Sequence, residues 1–201
     1  MHHSSYQHMR DLVARYLDRG HRLEILDIGA CDYGTADPAA LPGSYRPLFD
    51  NPGWRYRGLD MIEGPNVDLV MKSPYRFPLP GGTADVIVSG QAFEHVEYFW
   101  MTFMEMARVL KPGGLIFLIA PSRGPEHAYP TDCWRFYPDG YRALAKYAGI
   151  ELVEVTTDWA PHPSEDSAPW GDTVGVFRRP LGGSLRAAIR GALVSLASRI
   201  A

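Results

Sequence analysis

Four groups of residues have the types and the spacing to do chemistry. The first is Asp27-Ile28-Gly29, where an apolar run closes on a carboxylate and then a glycine. A carboxylate at a strand end can accept hydrogen bonds from an ammonium or from hydroxyls, and the glycine lets backbone approach a ligand with no Cβ in the way. The second is Asp60, an acidic strand end roughly thirty residues further on, where a doubly wound fold sets a carboxylate against ribose hydroxyls. The third is Gln91, Glu94 and His95, just past another apolar run, and the fourth is His127-Ala-Tyr129-Pro-Thr-Asp132-Cys-Trp134-Arg135-Phe136-Tyr137-Pro138. A neutral imidazole beside a hydroxyl can take its proton, worth roughly 10²–10⁴-fold in rate. His127 is the candidate base because it lies in a loop, whereas His95 starts a helix, where capping or packing is an equal use.

The elements that position these residues alternate along the chain. Tyr6 to Leu17 has Met9, Leu12, Val13, Tyr16 and Leu17 at helical spacing, and Glu24 to Ile28 is a strand buried on both faces. Residues 31 to 53 form an irregular loop with a short helix around Tyr45 to Phe49. Strands follow at Trp54 to Asp60, Asn66 to Met71 and Ala84 to Ser89. A helix carrying Phe99, Phe103, Met106, Ala107 and Leu110 is stopped by Pro112-Gly113-Gly114, and the next strand is Leu115 to Ala120. After the loop from Pro121 to Pro138 come a helix from Asp139 to Ala148 and strands at Glu151 to Thr157 and Thr173 to Phe177. This order predicts an α/β fold, a Rossmann-like, doubly wound, mostly parallel seven-stranded sheet with helices on both faces. It forms one domain over 1–201: an N-terminal helix in 1–20, a core over 24–180 and an amphipathic helix over 185–201. That last helix packs on its own domain or on a second copy, as in a homodimer, with membrane-surface binding as the alternative.

The chain has 201 residues, 46% hydrophobic and 21% charged, with a net charge of −3, values that suit one globular domain and argue against a general nucleic-acid binder. No apolar run is long enough to be a transmembrane segment. The N-terminus lacks a signal-peptide core, and its His2-His3 pair reads as a tag remnant as readily as native sequence. Cys31 and Cys133 lie far apart without metal-ligand spacing, which suits a reducing, cytoplasmic setting. The partner expected is a small molecule or a glycan.

Taken in order, Glu24-Ile-Leu-Asp-Ile-Gly, Asp60, Ala84-Asp-Val-Ile-Val-Ser with Phe93-Glu-His-Val, and Arg108-Val-Leu-Lys-Pro-Gly-Gly resemble the motifs of class I S-adenosylmethionine-dependent methyltransferases. The family commonly continues its first turn as Gly-x-Gly-x-Gly; here Cys31 and Tyr33 take the later positions. The resemblance implies that Asp27, Gly29 and Ala30 meet the methionine portion of the cofactor, that Asp60 binds the ribose and that Met61 lies against adenine. Ser73 falls where the family contacts the adenine edge, and Gln91 falls near the sulfonium. The segment Tyr-Pro-x-Asp-x-Trp-Arg-Phe is similar to bacterial methyltransferases of polysaccharide and glycolipid pathways, which implies O-methylation of a sugar or oligosaccharide. Glu94 then faces the acceptor, Tyr129 and Trp134 stack on a sugar ring, and Asp132 and Arg135 bond its hydroxyls. Equally, Trp134 and Arg135 lock the loop to the core, and Asp132 pairs with Arg135.

Two further alternatives stay open in the chemistry. Magnesium is the competing way to activate an alcohol: Glu94-His95 resembles part of the cluster of ubiquinone-pathway O-methyltransferases, with Gln91 where that pattern has another Glu, and its ligands are unassigned. A phenol, carboxylate or amine acceptor, a nicotinamide-dependent dehydrogenase and a non-catalytic S-adenosylmethionine-binding module are the other readings. The missing Gly-x-Gly-x-x-Gly weighs against the dehydrogenase.

Overall fold

The computed structural model describes residues 2–34 and 42–182. Its centre is one seven-stranded sheet in the order β3-β2-β1-β4-β5-β7-β6. The strands are β1 (Leu23–Ile28), β2 (Trp54–Asp60), β3 (Leu69–Val70), β4 (Ala84–Gly90), β5 (Leu110–Pro121), β6 (Glu151–Thr157) and β7 (Asp172–Arg178). β1 to β5 run parallel, while β7 is antiparallel to both β5 and β6. The chain order reverses between β1 and β4, so their carboxyl ends open a crevice of the kind that holds ligands in such sheets.

Both faces of the sheet are covered, which is why the central strands β1, β4 and β5 read as apolar runs rather than alternating. On one face α1 (His3–Tyr16) buries Met9, Leu12 and Val13 against Ile25, Val86, Val88 and Phe117. On the other, α2 (Phe99–Val109) and α3 (Pro138–Ala148) bury Phe103, Met106, Tyr141 and Leu144 against Leu26, Ile28, Ile87 and Phe177. α3 ends as expected on Gly149 in the left-handed conformation, φ 70°.

Several boundaries differ from the sequence reading. The strand expected over Asn66 to Met71 is only Leu69–Val70, because Asn66 has φ 70° and gives its amide to the carbonyl of Ala30, making the chain before β3 a turn. His95 does not start a helix: it ends a short 3₁₀ turn, Phe93–His95, and α2 begins at Phe99. α2 also stops before Leu110, since Thr83 N–H already bonds the Val109 carbonyl and Leu110 pairs with Ala84, so Pro112-Gly113-Gly114 lies inside β5. The helix expected over 185–201 lies outside the described residues.

Candidate functional site

β1 delivers Asp27 and Gly29 to the crevice. Gly29 has φ +77°, and a Cβ there would stand 2.4 Å from the Cβ of Ala92, so no other residue fits this turn without movement. The N–H groups of Gly29 and Ala30 are both spent on the Leu59 carbonyl, at 3.0 and 3.2 Å, which fixes the turn to β2. Asp27 is 3% exposed, and its carboxylate accepts a hydrogen bond from the Tyr56 hydroxyl. Burial pushes this carboxyl up to about 7, against the pulls of the Tyr56 hydroxyl and the Arg46 guanidinium, because a charge is costly in an enclosed site. Tyr56 offers no motif of its own; only the β1–β2 pairing brings it to Asp27.

Asp60 closes β2. Its Oδ2 accepts from the N–H of Cys31 at 2.8 Å and its Oδ1 from the N–H of Met61 at 2.6 Å, so it ties the first loop to the second strand. Each oxygen keeps a further lone pair for a ligand hydroxyl. A pocket of about 110 Å³ is lined by Asp27, Gly29, Ala30, Tyr45, Gly90 and Gln91 among others. Ligand sites usually run to roughly 300–1,000 Å³, so these walls enclose one part of a cofactor-sized molecule. Asp60, Met61 and Ser73 are not among the lining residues. Met61 is exposed, and the Ser73 Oγ accepts from the N–H of Tyr75, closing its own turn.

Gln91 has φ 59° and turns its amide inward, donating to Asp172 at 2.8 Å and to Ser5 at 3.3 Å. Asp172 is fully buried, and its carboxylate also meets His2 Nε2 at 3.0 Å and the Ser4 hydroxyl at 2.7 Å. Burial pushes the Asp172 carboxyl up, but His2, Ser4 and Gln91 reverse this and hold it below the usual range. The N-terminal residues are therefore part of the floor under Gln91. Ser5 continues the network to the buried Tyr45 hydroxyl at 2.6 Å. Nothing local in the sequence marks Asp172 or Tyr45, since both are brought in over forty or more positions of chain.

The loop from Pro121 to Pro138 folds onto the 3₁₀ turn. The N–H groups of Cys133 and Trp134 both bond the Glu94 carbonyl, and Thr131 Oγ1 donates to the His95 carbonyl. Asp132 pairs with Arg135 at 2.6 and 2.8 Å and accepts from the His127 N–H at 2.7 Å. The Arg135 guanidinium holds its carboxyl well below the usual carboxylate range. The Trp134 indole N–H donates to the carbonyls of Val96 and Glu97, and the ring packs edge-on against Phe99 and Trp100. Of the four loop residues assigned to the acceptor, Asp132, Trp134 and Arg135 are thus committed to the loop itself, and Tyr129, 58% exposed, is left as the open ring.

His127 Nδ1 lies 3.3 Å from Asp132, and its ring packs at 4.8 Å from that of His95. Because a carboxylate only accepts, the pairing makes Nδ1 the N–H and leaves Nε2 with the lone pair. Tyr129 stands 6.1 Å from His95 and 5.5 Å from Tyr33, a residue of the crevice pocket, so the imidazoles and the pocket are linked through two aromatic rings. Glu94, expected to face the acceptor, is instead 0% exposed behind the loop.

A larger hollow of about 440 Å³, lined by Arg22, Glu24, Arg55, Asp85 and Lys111 among others, lies at the opposite, amino-terminal ends of the strands. Lys111 and Asp85 already pair there at 2.7 Å, and parallel sheets bind ligands at the other edge.

Comparison with known proteins agrees with this geometry. Residues 37–118 match the family described as "Methyltransferase domain". An uncharacterized methyltransferase of Mycobacterium avium is 31% identical over 128 residues, 56% of this chain and 49% of that protein. One from Mycolicibacterium gilvum is 28% identical over 62% of this chain and 49% of its own length. The chain spans about half the length of these curated relatives. Among solved structures, a methyltransferase-like protein of Bacillus halodurans superposes with TM-score 0.62 at 15% identity, covering 89% of this chain and 100% of that one. The sheet, its crevice and the matched segment agree: the fold is that of Rossmann-like methyltransferases, and residues 37–118 are similar to the methyltransferase domain.

Proposed function

We propose that the chain, acting as a single domain over 1–201, transfers a methyl group from S-adenosylmethionine to a hydroxyl of a small acceptor, a sugar or oligosaccharide. The observation that carries this reading is Asp27, an enclosed carboxylate that makes no ion pair among the described residues, set beside Gly29 where the chain order reverses. The cofactor's ammonium supplies a cation in direct contact. Gly29 and Ala30 bound the methionine portion, Asp60 accepts from the ribose hydroxyls, Met61 lies against adenine, and Gln91, held by Asp172, lines the crevice at the sulfonium end.

In the transfer, the acceptor oxygen attacks the methyl carbon, the carbon–sulfur bond breaks with its electron pair going to sulfur, and the hydroxyl proton leaves to His127 Nε2. Alignment of acceptor and methyl is worth up to about 7–11 kcal/mol, so the loop's rigidity serves the rate directly. Tyr129 offers its open ring to a sugar's C–H face, while Asp132, Trp134 and Arg135 hold the loop that presents it. Radiolabelled S-adenosylmethionine with a panel of glycans, phenols and small acids tests the reading. Label transfer to a glycan hydroxyl is expected; transfer only to phenols or acids changes the acceptor. Thermal stabilisation by NAD and none by S-adenosylmethionine or its demethylated product would sink the assignment.

A further inference from the structure

Glu94 poses a problem that methyl transfer leaves unanswered. Its side chain is 0% exposed, and neither carboxylate oxygen has a hydrogen-bond partner among the described residues. Buried carboxylates are kept when they are paired or bind a metal. Two imidazoles flank it: one ligand atom each from Glu94, His95 and His127 lie within 4.8 Å of one another. His95 Nε2 stands 3.6 Å from Glu94 Oε1, too far for a hydrogen bond.

The two rings are already set as ligands. His95 Nδ1 lies 2.6 Å from the Thr131 carbonyl and His127 Nδ1 lies 3.3 Å from the Asp132 carboxylate. Both partners can only accept, so each Nδ1 carries the hydrogen and each Nε2 keeps a lone pair. Metal-bound histidines characteristically donate their second ring nitrogen to a carbonyl or carboxylate, which fixes the tautomer and the ring. Asp132 is in turn fixed by Arg135.

We propose that Glu94, His95 and His127 form a binding site for a divalent transition-metal ion of the zinc class. Two imidazoles and one carboxylate suit zinc, iron, cobalt or nickel, whereas magnesium prefers an all-oxygen shell. Ligand distances of about 2.0–2.2 Å require each atom to move inward by less than about 1 Å. Three protein ligands leave a coordination position open, the arrangement of catalytic rather than structural sites. The proposal stands independently of the acceptor and of methyl transfer. In the metal-free chain the His127 lone pair is free to take a proton; in the loaded chain that lone pair is committed to the ion, which instead lowers the pKa of a nearby hydroxyl.

The test is calorimetric titration of tag-free, chelator-treated protein with zinc chloride, and cobalt chloride followed by visible absorption. One-to-one binding is expected, with a ligand-field spectrum of nitrogen and oxygen donors. Glu94→Gln and His127→Ala should each weaken zinc at least tenfold and change the cobalt spectrum, and Asp132→Asn should cost about 10–100-fold through His127. His8 belongs to the second His and Asp cluster, with Asp158 and Asp172, so His8→Ala should leave both readouts unchanged. Should Glu94→Gln fail to fold, as judged by circular dichroism, the half-buried loop residue His127 carries the test alone. Absence of stoichiometric zinc binding, or zinc binding and a cobalt spectrum untouched by His127→Ala in folded protein, overturns the proposal. Loss of binding in His8→Ala with none in His127→Ala does the same by moving the ion to the other cluster.

Discussion

Two buried carboxylates set the pH behaviour of single residues. Asp27 rises to about 7 and Glu94 to about 8, both through burial. A folded-state pKa above the unfolded one means the folded chain holds a proton that the unfolded chain has lost. Stability is therefore highest below about pH 4 for these groups and falls by up to about 1.4 kcal/mol per pH unit and group until each folded pKa is passed. The melting temperature contributed by this pair should fall from pH 5 to pH 8, and Asp27→Asn should flatten the slope; an unchanged slope by calorimetry would contradict the burial argument. The same variant should weaken S-adenosylmethionine about tenfold or more, since its ammonium loses a charged partner. Asp60→Ala should cost about 1.5–3 kcal/mol of cofactor affinity, roughly ten- to a hundredfold. Cofactor affinity preserved in a folded Asp60→Ala protein would remove Asp60 from the ribose.

Among the elements, the loop between β5 and α3 carries the clearest division of labour. His127→Ala should lower kcat steeply at saturating acceptor and leave cofactor affinity nearly intact, because a base acts at the transition state. Trp134→Phe keeps an aromatic ring but loses the indole N–H and its bonds to Val96 and Glu97. It should chiefly raise the acceptor KM, with kcat and cofactor affinity little changed, and steady-state kinetics separate the two outcomes. A kcat defect in Trp134→Phe as deep as in His127→Ala would mean that His127 also acts by bracing the loop.

Across the whole molecule, residues near both ends of the described chain meet under the crevice. His2, Ser4 and Gln91 converge on Asp172 at the start of β7, and Ser5 reaches Tyr45. Removing residues 1–5 takes His2 and Ser4 from the Asp172 carboxylate and Ser5 from the Gln91 amide, which leaves Gln91 and Asp172 held only by each other. The expected result is weaker S-adenosylmethionine binding in a protein whose sheet persists by circular dichroism. Equal affinity in the truncated protein would show that this network supports the fold alone. Among the described residues no helix is long and apolar enough to cross a membrane, and α1 has its apolar face on the sheet.

The sequence by itself determined the sheet and the crevice at its carboxyl edge. Ile25, Leu26 and Ile28 before Gly29, and Leu115 to Ala120 after the glycine pair, are runs that only a strand buried on both faces explains. Asp27 and Asp60 could be found because strand ends and tight turns are local features, written in a few adjacent residues. Where local signals misled, a partner distant in the chain had outbid them: Ala84 drew Leu110 out of α2, and Asn66 turned toward Ala30 and shortened β3. Tertiary structure alone decided that Asp132 and Arg135 face each other, that the Trp134 indole bonds the carbonyls of Val96 and Glu97, and that Glu94 is enclosed with two imidazoles beside it. Asp172 and Tyr56 were equally hidden, since a side chain's partner across a fold depends on which loops close and which strands pair, and no spacing along the chain encodes that contact.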